Sequence, residues 1–166
     1  MIKLVTNKYN LKESDVSEVV VRVKALLINS KNEILLGYSH NDYQFPGGHI
    51  EENENLIQAL NREVEEETGI KLNLKRKRYF AVSIGYWKDH PVLGNNRKTV
   101  VYYFMVNTDK VPDLKNTSYT ESEIKGNFEL RYIPLKNVVE VLKDNAKIYG
   151  DKFGITREMI ELINEL

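Results

Sequence analysis

Apolar residues run almost unbroken from Val19 to Ile28, and Arg22 and Lys24 are the polar interruptions. The pattern predicts a strand over residues 19–29. Asn29-Ser30-Lys31-Asn32 then reads as a turn and Glu33 to Tyr38 as the hairpin partner. Tyr43 to Gly48 predicts a short strand that Pro46, Gly47 and Gly48 terminate. Asn55 to Thr68 has the period of a helix. Asn55 is placed to cap it, Gln58 completes a capping box and Gly69 supplies the stop. Further strands are expected at Arg78 to Trp87, Lys98 to Val106 and Phe128 to Pro134, and helices at Leu135 to Asp144 and Ile155 to Leu166. Asn107 to Asn127 reads as a polar connection. Strands, one central helix, more strands and terminal helices together predict an α/β or α+β layered domain, with no repeat or linker to divide residues 1–166.

Composition narrows the classes. At 42% hydrophobic and 10% aromatic, 166 residues are enough to close one core, which excludes disorder throughout. Basic and acidic residues balance at 24 each, so the electrostatic case for coating nucleic acid or an acidic membrane is missing. The chain has no cysteine, which excludes disulfides, thiolate metal sites and thiol nucleophiles and suits a reducing cytoplasm. The longest apolar run, Val100 to Val106, is far too short for a membrane span, and the N-terminus lacks a signal-peptide pattern.

The candidate chemistry lies on the central helix. At about 100° per residue, Ile57, Leu60 and Val64 fall within about 60° of one another and form an apolar stripe. Glu63, Glu66 and Glu67 cluster beside that stripe, whereas Glu65 points away. Like charges at this spacing disfavour an isolated helix, so the cluster calls for a counter-charge. Arg62 alone cannot neutralise three carboxylates. Hard oxygen donors on a rigid element suit Mg²⁺ or Mn²⁺, with positions left open for water and phosphate.

Gly48 to Ile70 also carries a longer pattern, G-x5-E-x7-R-E-U-x-E-E-x-G-U with U a bulky aliphatic residue. Gly48, Glu54, Arg62, Glu63, Val64, Glu66, Glu67, Gly69 and Ile70 occupy its specified positions. Seven fixed identities would coincide by chance about once in 10⁸ to 10⁹ starting points. The segment resembles the signature of the Nudix hydrolases, and Phe45-Pro46-Gly47-Gly48 and Glu129 to Leu135 look like its usual flanks. The resemblance implies a mixed β-sheet sandwiched between helices and hydrolysis of a nucleoside diphosphate linked to a group X, dependent on Mg²⁺ or Mn²⁺. It also implies that Glu63, Glu66 and Glu67 bind the metal together with the carbonyl of Gly47. Glu54 would support the site, and Arg62 would hold the loop that Gly48 opens.

The base stays open among Glu63, Glu121, Glu123 and Glu129. Tyr43, Phe45, Tyr86 and Trp87 are candidates for stacking a nucleobase, and Arg22, Lys24, Arg97 and Lys98 for binding outer phosphates. His40, His49 and His90 do not form a metal-ligand set. Tyr86 stands 16 residues beyond Ile70, a spacing associated in the family with dinucleoside polyphosphate hydrolases. Nucleoside triphosphates, dinucleoside polyphosphates, nucleotide sugars and capped RNA 5′ ends all remain as substrates. Homodimers are common in the family. The rival reading is a regulatory module that binds nucleotides on the same fold without catalysis, against which the intact glutamates argue. The missing cysteine disfavours an isomerase of the isopentenyl diphosphate kind. The zero net charge conceals an imbalance: between Gly48 and Ile70, seven glutamates face one arginine.

Overall fold

A computed structural model describes residues 1–166. Seven strands form one mixed sheet: β1 (Ile2–Thr6), β2 (Glu18–Ile28), β3 (Glu33–Ser39), β4 (Asp42–Gln44), β5 (Ala81–Trp87), β6 (Arg97–Asn107) and β7 (Glu129–Pro134). Their order is β1-β5-β6-β2-β3-β4, with β7 on β3. The helices are α1 (Leu56–Thr68), α2 (Glu121–Lys125), α3 (Leu135–Tyr149) and α4 (Ile155–Ile163). None is long and apolar enough to cross a membrane.

Strand alternation gives the sheet two buried faces. Val23, Ala25 and Leu27 of β2 pack with Ala59, Leu60 and Val64 of α1. Leu26 and Ile28 point the other way, into a cluster with Val138 and Leu142 of α3 and Met159 and Leu162 of α4. Helices thus cover both faces, as the resemblance implies. Arg22 and Lys24 share the parity of Leu26 and Ile28, so they lie on the α3/α4 face, beyond the part that the core fills.

The sheet forks beside these two residues. β2 pairs with β6 in parallel along its whole length but meets β3 only at Leu27–Leu35 and Ile28–Ile34. β3 then diverges toward β4 and β7. The chain leaving β4 fills the gap: Ala25 N–H donates to the Pro46 carbonyl at 2.8 Å, Val23 N–H to Gly48 at 3.0 Å and Ile50 N–H to Val21 at 3.1 Å. The expected strand over 43–48 therefore stops at Gln44, because Pro46 cannot donate and Gly47 adopts a φ of 131°.

β1 and α2 were absent from the expected elements. β1 is a five-residue edge strand whose residues alternate between half-buried and exposed. α2 is one short turn with Thr120 and Glu123 forming its capping box. Neither is long enough to display a period.

Candidate active site

Residues on α1 and the loop before it form the floor of the site. Asn55 Oδ1 accepts from the Ile57 and Gln58 N–H groups at 2.9 and 3.0 Å, and Gln58 Oε1 accepts from Asn55 N–H. Gly69 ends the helix in the left-handed region at φ 72°. Between these stops Glu63, Glu66 and Glu67 face a cavity of about 460 Å³. It is also lined by Gly47, Gly48 and Arg62. Glu65 lies off this face and pairs with Lys71 at 3.5 Å.

Two cations divide the carboxylates. Arg62 reaches Glu54 at 2.7 and 2.9 Å, Glu63 at 2.9 Å and Glu66 at 3.1 Å, and its remaining donor meets the His49 carbonyl at 2.9 Å. These bonds raise its affinity for its proton further, and the Arg62 guanidinium holds Glu54 below the usual carboxylate range. Arg62→Ala would strand a carboxylate set that includes Glu63, whose side chain is only 14% exposed. A loss of about 2–4 kcal/mol in urea unfolding is expected, with Arg62→Lys recovering only part because an ammonium lacks the fork.

Glu67 lies outside the reach of Arg62. It is 4% exposed, and its Oε2 accepts from Gly47 N–H at 2.9 Å. Burial pushes its carboxyl up to about 7, against the opposing pull of Lys24 and the Gly47 N–H. Burial likewise raises Glu63. The Lys24 ammonium donates to the Gly47 carbonyl and lies 3.5 Å from Gln44 Oε1. Its own proton affinity is lowered by burial, which Glu67 partly offsets.

No three of these carboxylates converge on one point in this arrangement. The donors still fit a hard divalent cation. Glu63, Glu66, Glu67 and the Gly47 carbonyl offer oxygen alone, and Lys24 already stands on that carbonyl as a cation. Ser39 also borders this cavity, and its Oγ is buried beside Gly126 without a protein hydrogen-bond partner.

The polar stretch after β6 closes one side. Ser118 N–H donates to the Glu66 carbonyl at 2.8 Å and Asp113 N–H to Thr68 at 2.9 Å, which straps the stretch to the end of α1. Thr120, Ser122 and Glu123 are thereby brought to the cavity wall. Of the later candidate bases only Glu123 arrives there. Glu121 is exposed beside Lys125 at 2.7 Å, and Glu129 is paired with Arg131. Neither lines the cavity.

A second cavity, of about 610 Å³, lies between the sheet and α4. Arg22, Lys24 and Gln44 line both, so the two cavities adjoin at these residues along one trench-like face. Trp87 and Phe153 meet edge to face at 5.8 Å in its wall, with His90 5.4 Å from Phe153. At its floor both Ser83 (at 2.6 Å) and Tyr103 donate to Glu158.

Several expected substrate contacts change here. Tyr43 is 7% exposed in the core and bonded by Arg131 at 2.8 Å, so it offers no stacking face. Phe45 is 2% exposed and packed in the core beside the larger cavity, so it offers no open ring face. Tyr86 points to the other face of β5 and donates to Glu13 at 2.5 Å, where Lys98 also binds. Its neighbour Trp87 takes the place in the trench. Arg22 does line both cavities, donating to His49 Nε2 at 3.2 Å, and Arg97 lines the larger one. Phe153, Glu158 and Ser39 were missed: Glu158 reads as one charge on a helix, and Phe153 precedes α4 outside any period.

The sequence profile of the NUDIX domain matches residues 19–152. The chain belongs to the NUDIX family. The 8-oxo-dGTP diphosphatase of Buchnera aphidicola is 36% identical to it over 64 residues, and that match spans 39% of this chain and 41% of the relative's length. Nudix folds align over most of the chain. A MutT structure described from Aliivibrio salmonicida and Vibrio cholerae covers 89% of it, and 97% of that chain, with a TM-score of 0.54 at 17% identity. The Ap4A hydrolase of C. elegans covers 89%, and 95% of that chain, with a TM-score of 0.53 at 18% identity. These likenesses show a shared mixed sheet with flanking helices.

Proposed function

We propose that residues 1–166 work as one cytoplasmic Nudix pyrophosphohydrolase, dependent on Mg²⁺ or Mn²⁺ and acting on a nucleoside diphosphate linked to another group. The observation that carries the reading is the trench. A carboxylate-lined cavity adjoins one walled by aromatic rings and arginines, with Arg22 and Lys24 at the boundary. Such a shape suits a polyphosphate at one end and a nucleoside at the other. The 8-oxo-dGTP and Ap4A named for the relatives are two members of that substrate class.

Glu63, Glu66, Glu67 and the Gly47 carbonyl would hold the cation, which neutralises phosphoryl oxygens and lowers the proton affinity of water. Arg62 fixes Glu63 and Glu66 in place. Arg22 and Lys24 bind the phosphates nearer the nucleoside. Water adds to phosphorus, the bridging P–O bond breaks and the leaving phosphate departs with its electron pair. Glu63 and Glu123 are the carboxylates in the cavity placed to take the water's proton.

A screen of nucleotides with Mg²⁺ or Mn²⁺, reading both products by mass, tests the reading. Two phosphorylated products are expected. A nucleotide that binds without being cleaved would make the chain a binding module instead. Once a substrate is in hand, Trp87→Ala is expected to raise KM by about tenfold with kcat nearly unchanged, since stacking on one aromatic contributes roughly 1–3 kcal/mol.

A further inference from the structure

Arg62 satisfies Glu54, Glu63 and Glu66 and does not reach Glu67, which is bonded by Gly47 N–H and feels the Lys24 charge from beyond ion-pair distance. The Gly47 backbone is held on both sides of its Cα: its N–H donates to the Glu67 carboxylate and its carbonyl accepts from the Lys24 ammonium. Glu63 and Glu123 add negative potential around the same ammonium. A carbonyl beside a carboxylate is the oxygen environment that a divalent cation also requires. Two cations on one carbonyl oxygen would repel at close range in a poorly solvated corner.

We propose that the Lys24 ammonium is the resident cation of the Gly47–Glu67 corner, and that a divalent ion enters this corner only by displacing it. The proposal rests on the reading of these donors as a cation site. Lys24 is suited to yield. Its ammonium is a point charge on a flexible four-carbon stem, and its side chain also borders the larger cavity, where a substrate phosphate would offer a new partner. Lys24 is therefore a positioning residue: it keeps Gly47 and Glu67 in their loaded arrangement before the metal arrives.

The test is Mn²⁺ binding to the metal-free protein at pH 8, followed by electron paramagnetic resonance, for wild type, Lys24→Met and Lys24→Gln. Both variants are expected to bind Mn²⁺ at least tenfold more tightly or to take up one more ion per chain. Their melting temperatures should lie below wild type without metal and rise more than wild type does when Mn²⁺ is added. Lys24→Gln keeps a donor to the Gly47 carbonyl and serves if Lys24→Met does not fold. Binding that is unchanged or weaker in both variants overturns the proposal and leaves the cation site standing. Absence of Mn²⁺ binding in wild type and variants alike overturns the cation site as well.

Discussion

Glu67→Gln is expected to lower metal-dependent turnover by about 10³-fold or more while the chain still folds. That factor corresponds to about 4 kcal/mol of transition-state stabilisation. The substitution removes a charge that a cation would face but keeps a side-chain oxygen able to accept from Gly47 N–H, so the bond that positions the loop survives. Stability provides an independent reading. Glu67 titrates near 4.5 when exposed and near 7 in the fold, so the folded state holds a proton there that the unfolded chain has lost. Stability of the metal-free protein should therefore fall as pH rises from about 4.5 to about 7 and level off above, by roughly 3–3.5 kcal/mol. In Glu67→Gln that slope should flatten. Urea midpoints measured across this range, with turnover measured in parallel, check both halves.

Gly47→Ala is expected to cost about 3–5 kcal/mol and with it the site. Gly47 has a φ of 131°, a region that side chains rarely tolerate. An added Cβ would strike the Val23 carbonyl oxygen and approach Lys24 Cα to 2.9 Å, both backbone atoms of β2 that cannot rotate aside. Relief requires the Pro46–Gly48 segment to lift off β2, breaking the Ala25–Pro46 and Val23–Gly48 hydrogen bonds. That movement also carries the Gly47 carbonyl away from Lys24. A fall in melting temperature of about 10 °C is expected for a chain of this size, together with loss of divalent-cation binding. A variant that melts as wild type does would show that the segment is not pinned to β2.

The glutamate helix was legible because its determinants are local. Asn55, Gln58 and Gly69 set its ends, and the helical period alone placed Glu63, Glu66 and Glu67 on one side with Glu65 apart. The trench was not legible, because it depends on which strand lies beside which. The sequence has no local signal that β2 would fork from β3, so the meaning of Arg22 and Lys24 within an apolar run appears only once their parity is set against the α3/α4 face. Tyr43 and Tyr86 misled for the same reason. An aromatic residue in a strand can face core, solvent or cavity, and one residue of register decides: Tyr86 turns toward Glu13 while Trp87 turns into the trench. The connection between β6 and β7 offers Glu121 and Glu123 alike as candidate bases in the sequence, and its bonds to α1 deliver Glu123 to the cavity and leave Glu121 in solvent.

The most direct measurement of the central claim is hydrolysis of a nucleotide in ¹⁸O-labelled water with Mg²⁺, comparing wild type with Glu67→Gln and weighing both products. The account predicts two phosphorylated products from the wild type, with one ¹⁸O in one of them, and almost none from the variant. Turnover in Glu67→Gln equal to wild type, or a product set showing cleavage elsewhere than between two phosphates, would contradict it.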